Sequence, residues 1–263
     1  VNGLTKTMQI LKLGGSVITH KDEYFSPHTE NIKRLAQEIF ATKKPLIIVH
    51  GAGSFGHPVA KKYNISDGLK TSDQLVGFSE THQSMTRLNQ IIVDTLLEAG
   101  VPAFGISASS MLVTKDRRLV DLDLSIIKGC LELGLIPVMY GDAVLDTEQG
   151  FAILSGDQLI VRLAIDLEAD RIIFGSDVDG IYTANPKLDP DAKLMERVSL
   201  SHMTAEVGGA TNTDVTGGML GKLKEAEGAV EAGAEVVLLN ANAENRVKLA
   251  LLGEKVMGTI LTL

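Results

Sequence analysis

The sequence predicts a three-layer α/β/α sandwich with a mostly parallel central sheet. Short apolar runs that do not alternate with polar residues recur along the chain, as in strands buried on both faces. Between them lie segments whose apolar residues recur every three to four positions, as on one buried helix face. Strand and helix patterns that alternate in this way indicate repeated βαβ units.

The first elements end in glycine-rich loops. A compact strand, Met8–Leu13, runs into Gly14-Gly15-Ser16. Ser26-Pro27 then predicts a cap and first turn, followed by a helix with its apolar face at positions 32, 35, 36, 39 and 40. A second buried strand, Pro45–Val49, is expected to end in a loop, His50–His57.

The later elements complete the alternation. A long helix from about residue 73 to 99 follows, in which Gly77 is a candidate kink. The remaining predicted elements are strands 101–106 and 135–140, a hairpin 144–154, helix 157–167, strand 171–174, a long loop 176–193, helix 216–233 and strand 235–240. No repeat, low-complexity segment or linker divides them, so we expect one domain over residues 1–263, with residues 1–7 as a flexible extension.

Composition narrows the class of protein. Of 263 residues, 44% are apolar and 22% charged, which is typical of a globular protein. The net charge of −8 gives no bulk attraction for nucleic acid or anionic lipid, so an anion site must be built locally. Cys130 is the only cysteine, which excludes an internal disulfide and a thiolate metal cluster. The apolar runs are too short to cross a bilayer, and we expect a cytoplasmic protein.

Three glycine clusters stand next to regular elements: Gly14-Gly15, Gly51–Gly56 and Gly217-Gly218. Glycines at strand-to-helix turns let backbone N–H groups approach an anion, and a helix N-terminus adds the positive end of its dipole. Any one cluster could be an ordinary tight turn. Three of them, at the kind of strand end where open α/β sheets bind ligands, favour a polyanion site.

The second cluster also satisfies the G-x-G-x-x-G dinucleotide pattern through Gly51, Gly53 and Gly56. That fingerprint normally follows the first strand, with an acidic residue about 20 positions on, at the end of the next strand. Here it follows the second strand, and the segment about 20 residues on is helical in pattern. The sequence therefore disfavours an NAD-binding site. It also contains no G-x-x-x-x-G-K-[ST] phosphate loop.

Several charged residues lie beside these loops. Lys12 stands near the end of a buried strand, where a lysine without an anionic partner is costly, so it is the strongest candidate functional residue. Lys21 and Lys222 are either solvated surface lysines or cations of an anion site. His57 could donate to a phosphate oxygen. Asp157 is either a charge favoured by a helix N-terminus or a carboxylate that holds two lysines in place.

Four segments together resemble the amino acid kinase superfamily: Lys12–Ser16, His50–Ser54, Ser176–Gly180 and Thr213–Met219. The resemblance extends from Met8 to the end of the chain, in the same order. Within the superfamily, the segments 14–21 and 50–57 are similar to archaeal isopentenyl phosphate kinases. The hallmark of that family is a histidine at the position of His57, which N-acetylglutamate and aspartate kinases lack.

The resemblance implies MgATP-dependent phosphorylation of isopentenyl phosphate to isopentenyl diphosphate in an alternative mevalonate pathway, by a homodimer with the amino acid kinase fold. Residues 8–154 would bind the acceptor and residues 155–263 would bind ATP, with Mg²⁺ held mainly by the nucleotide phosphates. The implied catalytic residues are Lys12, Lys21, His57, Asp157 and Lys222. The implied nucleotide-binding residues are Lys12, Gly14, Gly15, Ser16, Gly53, Asp177, Gly217, Gly218 and Lys222, and the acceptor phosphate would contact Ala52, Gly53, His57 and Gly156.

A phosphate monoester acceptor is already largely a dianion near neutral pH, because its second pKa is about 6, so it needs no general base. This agrees with the lack of an obvious catalytic carboxylate at the acceptor loop. Phe78 and Met85 are candidate walls of an apolar pocket for the acceptor tail. The alternatives are a kinase of this fold with another acceptor (fosfomycin, UMP or an amino-acid carboxylate), a non-catalytic nucleotide sensor, and an oxidoreductase.

Overall fold

The computed structural model describes residues 8–184, 186, 188–201 and 217–263. The predicted extension 1–7 and residues 213–216 of the fourth motif lie outside these ranges. The elements of the described chain are β1 (Gln9–Leu13), α1 (Gly15–Ile18), α2 (Thr29–Thr42), β2 (Leu46–His50), α3 (Gly53–Lys62), α4 (Gln74–Glu98), β3 (Ala103–Gly105), β4 (Leu112–Lys115), β5 (Arg118–Leu122), α5 (Ser125–Leu133), β6 (Ile136–Tyr140), β7 (Asp142–Asp146), β8 (Gly150–Leu154), α6 (Gly156–Asp166), β9 (Arg171–Ser176), β10 (Arg197–Ser199), α7 (Gly217–Glu231), β11 (Glu235–Asn240), α8 (Arg246–Leu252) and β12 (Thr259–Thr262).

An eight-stranded sheet forms the centre of the described structure, in the order β10-β12-β11-β9-β1-β2-β6-β3. Neighbouring strands run parallel except β11 and β12, which are antiparallel. β1 lies between β2 and β9, so both of its edges are paired and all five of its residues are buried. This arrangement explains why the strand is mostly apolar, with Gln9 and Lys12 as its two polar residues.

Helices cover both faces of this sheet. Ile10 of β1 belongs to the core that contains α5, α6 and α7, whereas Leu11 belongs to the core that contains α1, α2, α3, α4 and α8. Successive strand residues point to opposite faces, so each central strand contributes to both cores. The predicted three-layer fold class is confirmed.

A second, four-stranded sheet has the order β5-β4-β7-β8. The hairpin predicted near residues 144–154 is its β7–β8 pair, whereas β4 and β5 have no counterpart in the sequence-based assignment. Asp146, buried at the end of β7, holds the two hairpin turns together. Its carboxylate accepts backbone N–H bonds from Arg117 at 2.8 Å and from Glu148 at 3.0 Å, and a hydroxyl bond from Thr114 at 2.8 Å.

Two local expectations were wrong, and the candidate kink at Gly77 leaves α4 unbroken. Helix α2 begins at Thr29 instead of after Ser26-Pro27, because the His28 ring accepts the Asn31 N–H and so caps the helix. The glycine loop does not reach His57, since α3 already begins at Gly53. Gly77 does not interrupt α4, and a side chain there would overlap the Tyr63 ring that packs against the helix.

The helices of the described residues include no segment with the length and apolarity needed to span a membrane.

Candidate active site

A cavity of about 670 Å³ opens at the carboxyl ends of β1, β2, β6 and β9, the edge at which open α/β sheets bind ligands. The residues predicted from the sequence that line it are Lys12, Gly14, Gly15, Ser16, Lys21, Ala52, Gly53, His57, Gly156, Asp157, Asp177 and Lys222. Gly217 and Gly218 are the first residues of α7, which contributes Met219 and Lys222 to the cavity wall.

Three charged side chains meet on one wall of the cavity. Lys12 Nζ lies 2.6 Å from Asp157 Oδ1, and Lys222 Nζ lies 3.3 Å from the same oxygen. The Lys222 ammonium also stands over the face of the Phe174 ring, 5.2 Å from its centroid. One carboxylate therefore fixes two ammonium groups, and the cluster keeps a net positive charge that faces the cavity.

Burial strongly perturbs this cluster. Desolvation lowers the pKa of Lys12 to about 8; the Asp157 carboxylate opposes this shift and the Lys222 charge adds to it. Burial acts to raise the pKa of Asp157, but the charges of Lys12 and Lys222 outweigh it, so the net pKa is lowered. Asp157 is thus ionised at neutral pH, and an anionic ligand would favour the charged form of Lys12.

The first two glycine loops pack directly against each other. A side chain on Gly15 would place its Cβ 2.6 Å from the Gly53 Cα, and one on Gly51 would lie 2.8 Å from the Gly15 N. Gly53 also has φ +48°, in the left-handed region that favours glycine. These positions need glycine because the backbones of the two loops are in contact and leave no room for a Cβ atom. This requirement would hold whether or not the loops bind phosphate.

Gly14 differs from its neighbours because its N–H already has a partner. It donates to the Gly175 carbonyl at 2.8 Å and so extends the pairing of β1 with β9. The expected role of Gly14 as a backbone donor to phosphate is therefore not available to its N–H in this structure. Gly14 instead precedes the short helix α1, in which Gly15 and Ser16 line the cavity.

A second ion pair crosses the mouth of the cavity. Lys21 Nζ lies 2.7 Å from Asp177 Oδ2, and both side chains are partly exposed. Burial acts to raise the pKa of Asp177, but hydrogen bonding and charge from Lys21 outweigh it and lower the pKa overall. The pair joins the loop after α1 to the loop after β9, the two segments expected to approach the nucleotide.

His57 stands on α3 with its side chain exposed toward the cavity. Desolvation by the surrounding protein lowers its pKa, and the positive charge of Lys12 lowers it further. The imidazole is therefore predominantly neutral at pH 7 and carries one N–H. A neutral ring can donate one hydrogen bond to an anion without adding a charge to the site.

Sequence reasoning missed several residues around the cavity. Ser155 caps α6 by accepting the Gln158 N–H at 3.1 Å, and the S-x-x-Q spacing is a capping-box signal that could have revealed it. Asp142 lines the cavity, and its buried carboxylate lies 2.8 Å from His82 Nδ1. Those two residues are 60 positions apart, and no local pattern links them.

The carboxylates that line the cavity do not form a metal centre. Asp157 is bound by two lysines, Asp177 by one lysine, and Asp142 by His82. In the described part of the chain, no group of three or more His, Cys, Asp or Glu is placed to hold a metal ion. The described residues around the cavity therefore do not fit a resident divalent cation.

Comparison with known proteins agrees with this geometry. The amino acid kinase family model matches residues 7–240. An isopentenyl phosphate kinase of Methanothermobacter thermautotrophicus is 43% identical over 263 residues, which cover 97% of this chain and 99% of that protein. An X-ray structure of an isopentenyl phosphate kinase superposes with a TM-score of 0.84 at 40% identity, covering 96% of this chain and 99% of that one.

A relative with another name is more distant in sequence: a glutamate 5-kinase of Caldanaerobacter subterraneus is 24% identical over 96% of this chain and 67% of that protein. The lysine–aspartate cluster, the apposed glycine loops and the full-length similarity lead to one assignment. The chain belongs to the amino acid kinase family and, within it, to the isopentenyl phosphate kinases.

Proposed function

We propose that this protein transfers the γ-phosphoryl group of MgATP to isopentenyl phosphate, giving isopentenyl diphosphate and ADP. The observation that carries the proposal is the cluster of Lys12, Asp157 and Lys222 on the wall of a cavity that His57 also lines. Two ammonium groups fixed by one carboxylate suit the charge on transferring phosphoryl oxygens. The full-length similarity to isopentenyl phosphate kinases supports the choice of acceptor.

In this proposal, the acceptor oxygen attacks the γ-phosphorus in line with the departing ADP oxygen. The O–P bond to ADP breaks as the new one forms, and no proton has to leave an acceptor that is already a dianion. Lys12 and Lys222 would neutralise charge on the transferring group, and Lys21 would contact the nucleotide phosphates after leaving Asp177. His57, Ala52 and Gly156 would position the acceptor phosphate. Gly15, Ser16 and Gly53, with Gly217 and Gly218, would face the nucleotide.

Apolar groups on one side of the cavity offer a wall for the acceptor tail. Met85, Ile153 and Leu154 line this side. Met85 packs close to Gly56, where a side chain would meet its sulfur. Phe78, the other residue expected here, is not among the described residues that line the cavity; it stacks on Phe151 of β8, with ring centroids 5.0 Å apart. A short branched hydrocarbon attached to a phosphate suits a cavity that has apolar side chains on one side and the ammonium groups of Lys12 and Lys222 on another.

Mg²⁺ enters this scheme as part of the substrate MgATP, bound by the nucleotide phosphates. Because the nearby carboxylates are already paired with basic side chains, the protein would act on the metal only through those phosphates. We further propose a homodimer that works in the cytoplasm in an alternative mevalonate pathway. Its interface would include the edge strand β3, where Phe104 keeps 46% of its surface exposed. Sedimentation of the full chain tests the oligomeric state.

The first experiment measures ADP release from MgATP with isopentenyl phosphate, dimethylallyl phosphate, fosfomycin, UMP and N-acetylglutamate. We expect strong turnover with isopentenyl phosphate, alone or with its isomer. Turnover confined to another acceptor would reject the assignment but keep the phosphotransferase mechanism. ATP binding without ADP release in the presence of any acceptor would favour a nucleotide sensor.

His57 variants test the acceptor end of the site. We expect His57→Ala to raise the KM for isopentenyl phosphate by at least about tenfold, because a hydrogen bond to a charged group contributes about 1.5–3 kcal/mol. His57→Gln, which keeps an N–H donor, should lose less. The KM for MgATP serves as the control and should change little in both variants. Unchanged acceptor KM and kcat in His57→Ala would show that His57 does not position the acceptor.

A further inference from the structure

His50, the first residue of the second glycine motif, is fully buried behind the loop that lines the cavity. Its ring stacks on Tyr140, with centroids 5.3 Å apart. The Nδ1 atom lies 3.0 Å from the Gly51 carbonyl oxygen, and the Nε2 atom lies 3.2 Å from Asn89 Nδ2. Both ring nitrogens therefore have partners inside the protein, on opposite sides of the ring.

Those partners determine which nitrogen carries the proton. Asn89 Nδ2 also lies 3.2 Å from the Val138 carbonyl, which can only accept, so this end of the Asn89 amide must be the NH₂ group. His50 Nε2 then accepts from Asn89. The Gly51 carbonyl can likewise only accept, so Nδ1 must carry the hydrogen. Burial lowers the pKa of His50 to about 4, which keeps the ring neutral with this single N–H.

The hydrogen bond from His50 fixes the orientation of the next peptide. Gly51 N–H donates to the Leu13 carbonyl at 2.9 Å, and the Gly51 carbonyl accepts from His50. The Gly51 carbonyl is part of the peptide between Gly51 and Ala52, so the bond from His50 favours one orientation of that peptide. In a planar trans peptide the N–H points away from the carbonyl, so the Ala52 N–H points away from the buried ring. Gly51 and Ala52 both line the cavity.

We propose that His50 is a positioning residue for phosphoryl transfer, whose Nδ1–H holds the Gly51 carbonyl so that the Ala52 N–H faces the acceptor phosphate. Asn89 supports this role by keeping the proton on Nδ1. The inference rests on the proposed function, because it assigns the Ala52 N–H to the acceptor side of that site. His50 itself touches neither substrate and acts through the backbone.

The tautomer can be measured directly. In the full-length protein labelled with ¹⁵N-histidine, long-range ¹H–¹⁵N spectra distinguish Nδ1–H from Nε2–H rings. We expect a neutral Nδ1–H signal for His50 that does not titrate between pH 5.5 and 8. An Nε2–H signal or a charged ring would overturn the proposal. The Ala52 amide should also shift downfield when isopentenyl phosphate is added, and an unmoved amide at saturation would equally overturn it.

A matched pair of variants separates positioning from packing. His50→Asn places an amide N–H near the Nδ1 position, whereas His50→Gln places one near the Nε2 position, and both leave a polar side chain of similar kind in the core. We expect His50→Gln to raise the KM for isopentenyl phosphate at least about fivefold above that of His50→Asn, with similar KM values for MgATP. Equal acceptor KM values in the two variants would show that His50 only fills space.

Two further measurements keep the test decisive. If neither His50 variant folds, Asn89→Leu removes the donor to Nε2. We expect the ring to move toward the Nε2–H tautomer with a raised acceptor KM, and a changed tautomer with a wild-type acceptor KM would overturn the proposal. If the wild-type enzyme does not phosphorylate isopentenyl phosphate, the proposed function fails. The His50 tautomer and the response of the Ala52 amide to inorganic phosphate then still decide whether this histidine orients a phosphate-binding N–H.

Discussion

Arg118 and Glu225 form a two-pronged ion pair, with Nη1–Oε1 and Nη2–Oε2 distances of 2.5 and 2.9 Å. The pair joins the β4–β5 hairpin to α7, the helix that also carries Lys222. Gln158, the neighbour of Asp157, accepts the Leu119 N–H at 2.6 Å from the same hairpin. The hairpin is thus attached to both helices that supply the charged cluster.

We predict that Arg118→Glu raises the KM for MgATP by no more than about fivefold, because an exposed ion pair contributes roughly 1 kcal/mol or less. The Arg118 side chain is 61% exposed, so added salt should reduce the effect. Steady-state kinetics at low and high ionic strength measure it. The charge-swapped double variant Arg118→Glu with Glu225→Arg should recover most of the loss. If the double variant were as impaired as the single one, the pair would have no role in holding α7.

The lowered pKa of Lys12 predicts a pH profile. Phosphoryl transfer needs the charged form, so kcat/KM for MgATP should fall as pH rises above about 8, the pKa in the free protein. The alkaline limb of kcat should lie at higher pH, because bound phosphates favour the charged lysine. Lys12→Arg removes the titration and, if active, should show no limb near pH 8. A wild-type limb near the ordinary lysine value of 10.5 would contradict the prediction.

The contact between the two glycine loops predicts a large effect from one methyl group. Gly15→Ala should lower kcat by about 10²-fold or more, since a Cβ 2.6 Å from the Gly53 Cα forces the two loops apart and misplaces reacting groups. Gly129→Ala is the matched control, because a Cβ on this α5 residue meets nothing within 4 Å. It should keep full activity and gain about 0.5–1 kcal/mol of stability. Near-wild-type activity in Gly15→Ala would show that the loops can separate freely.

Asp146 predicts an acid-sensitive hairpin. Burial acts to raise the pKa of Asp146, but its several hydrogen bonds outweigh burial and lower the pKa to about 2 from 3.8. The stabilisation is therefore present above about pH 4 and is lost as the pH falls from about 4 to 2, where the unfolded chain binds the proton more readily. Asp146→Asn should lower the free energy of unfolding at pH 7 by about 1–3 kcal/mol in urea titrations. The difference from wild type should shrink below pH 4, and a constant difference would contradict this account.

The central strands and long helices could be predicted because their patterns are local. β1, β2 and α4 each show a continuous apolar run or a helical stripe within a few residues. The β4–β5 hairpin could not, because its residues are largely exposed or charged and distant side chains hold it. Its turn residues Asp116 and Arg117 adopt positive φ and bond to Asp146, about 30 positions later.

The same difference between local and distant signals decides which residues of the site could be predicted. The glycine loops and the buried strand lysine indicated an anion site because each is unusual where it stands. A lysine is costly in a buried strand without an anionic partner, and clustered glycines let backbone N–H groups approach an anion. His50 has no such local signal, and nothing in the sequence next to it indicates Asn89 or the buried environment that keeps it neutral. The extent of α3 was also missed, because Gly53 and Gly56 look like loop residues although each is required by a neighbouring side chain or backbone.

The position of β1 has a consequence for how the chain folds. β1 precedes the other described strands along the chain, and its partner β2 follows within 40 residues, but its other partner, β9, begins at residue 171. Until β9 has been made, one edge of a largely apolar strand is open to pairing with another molecule. The Lys12–Asp157 bond spans 145 residues and cannot form before the first four strands of the central sheet, β1, β2, β3 and β6, have been made. Nascent or truncated chains that end before β9 should therefore need chaperone protection, and only a chain that extends past Lys222 can acquire the full charged cluster.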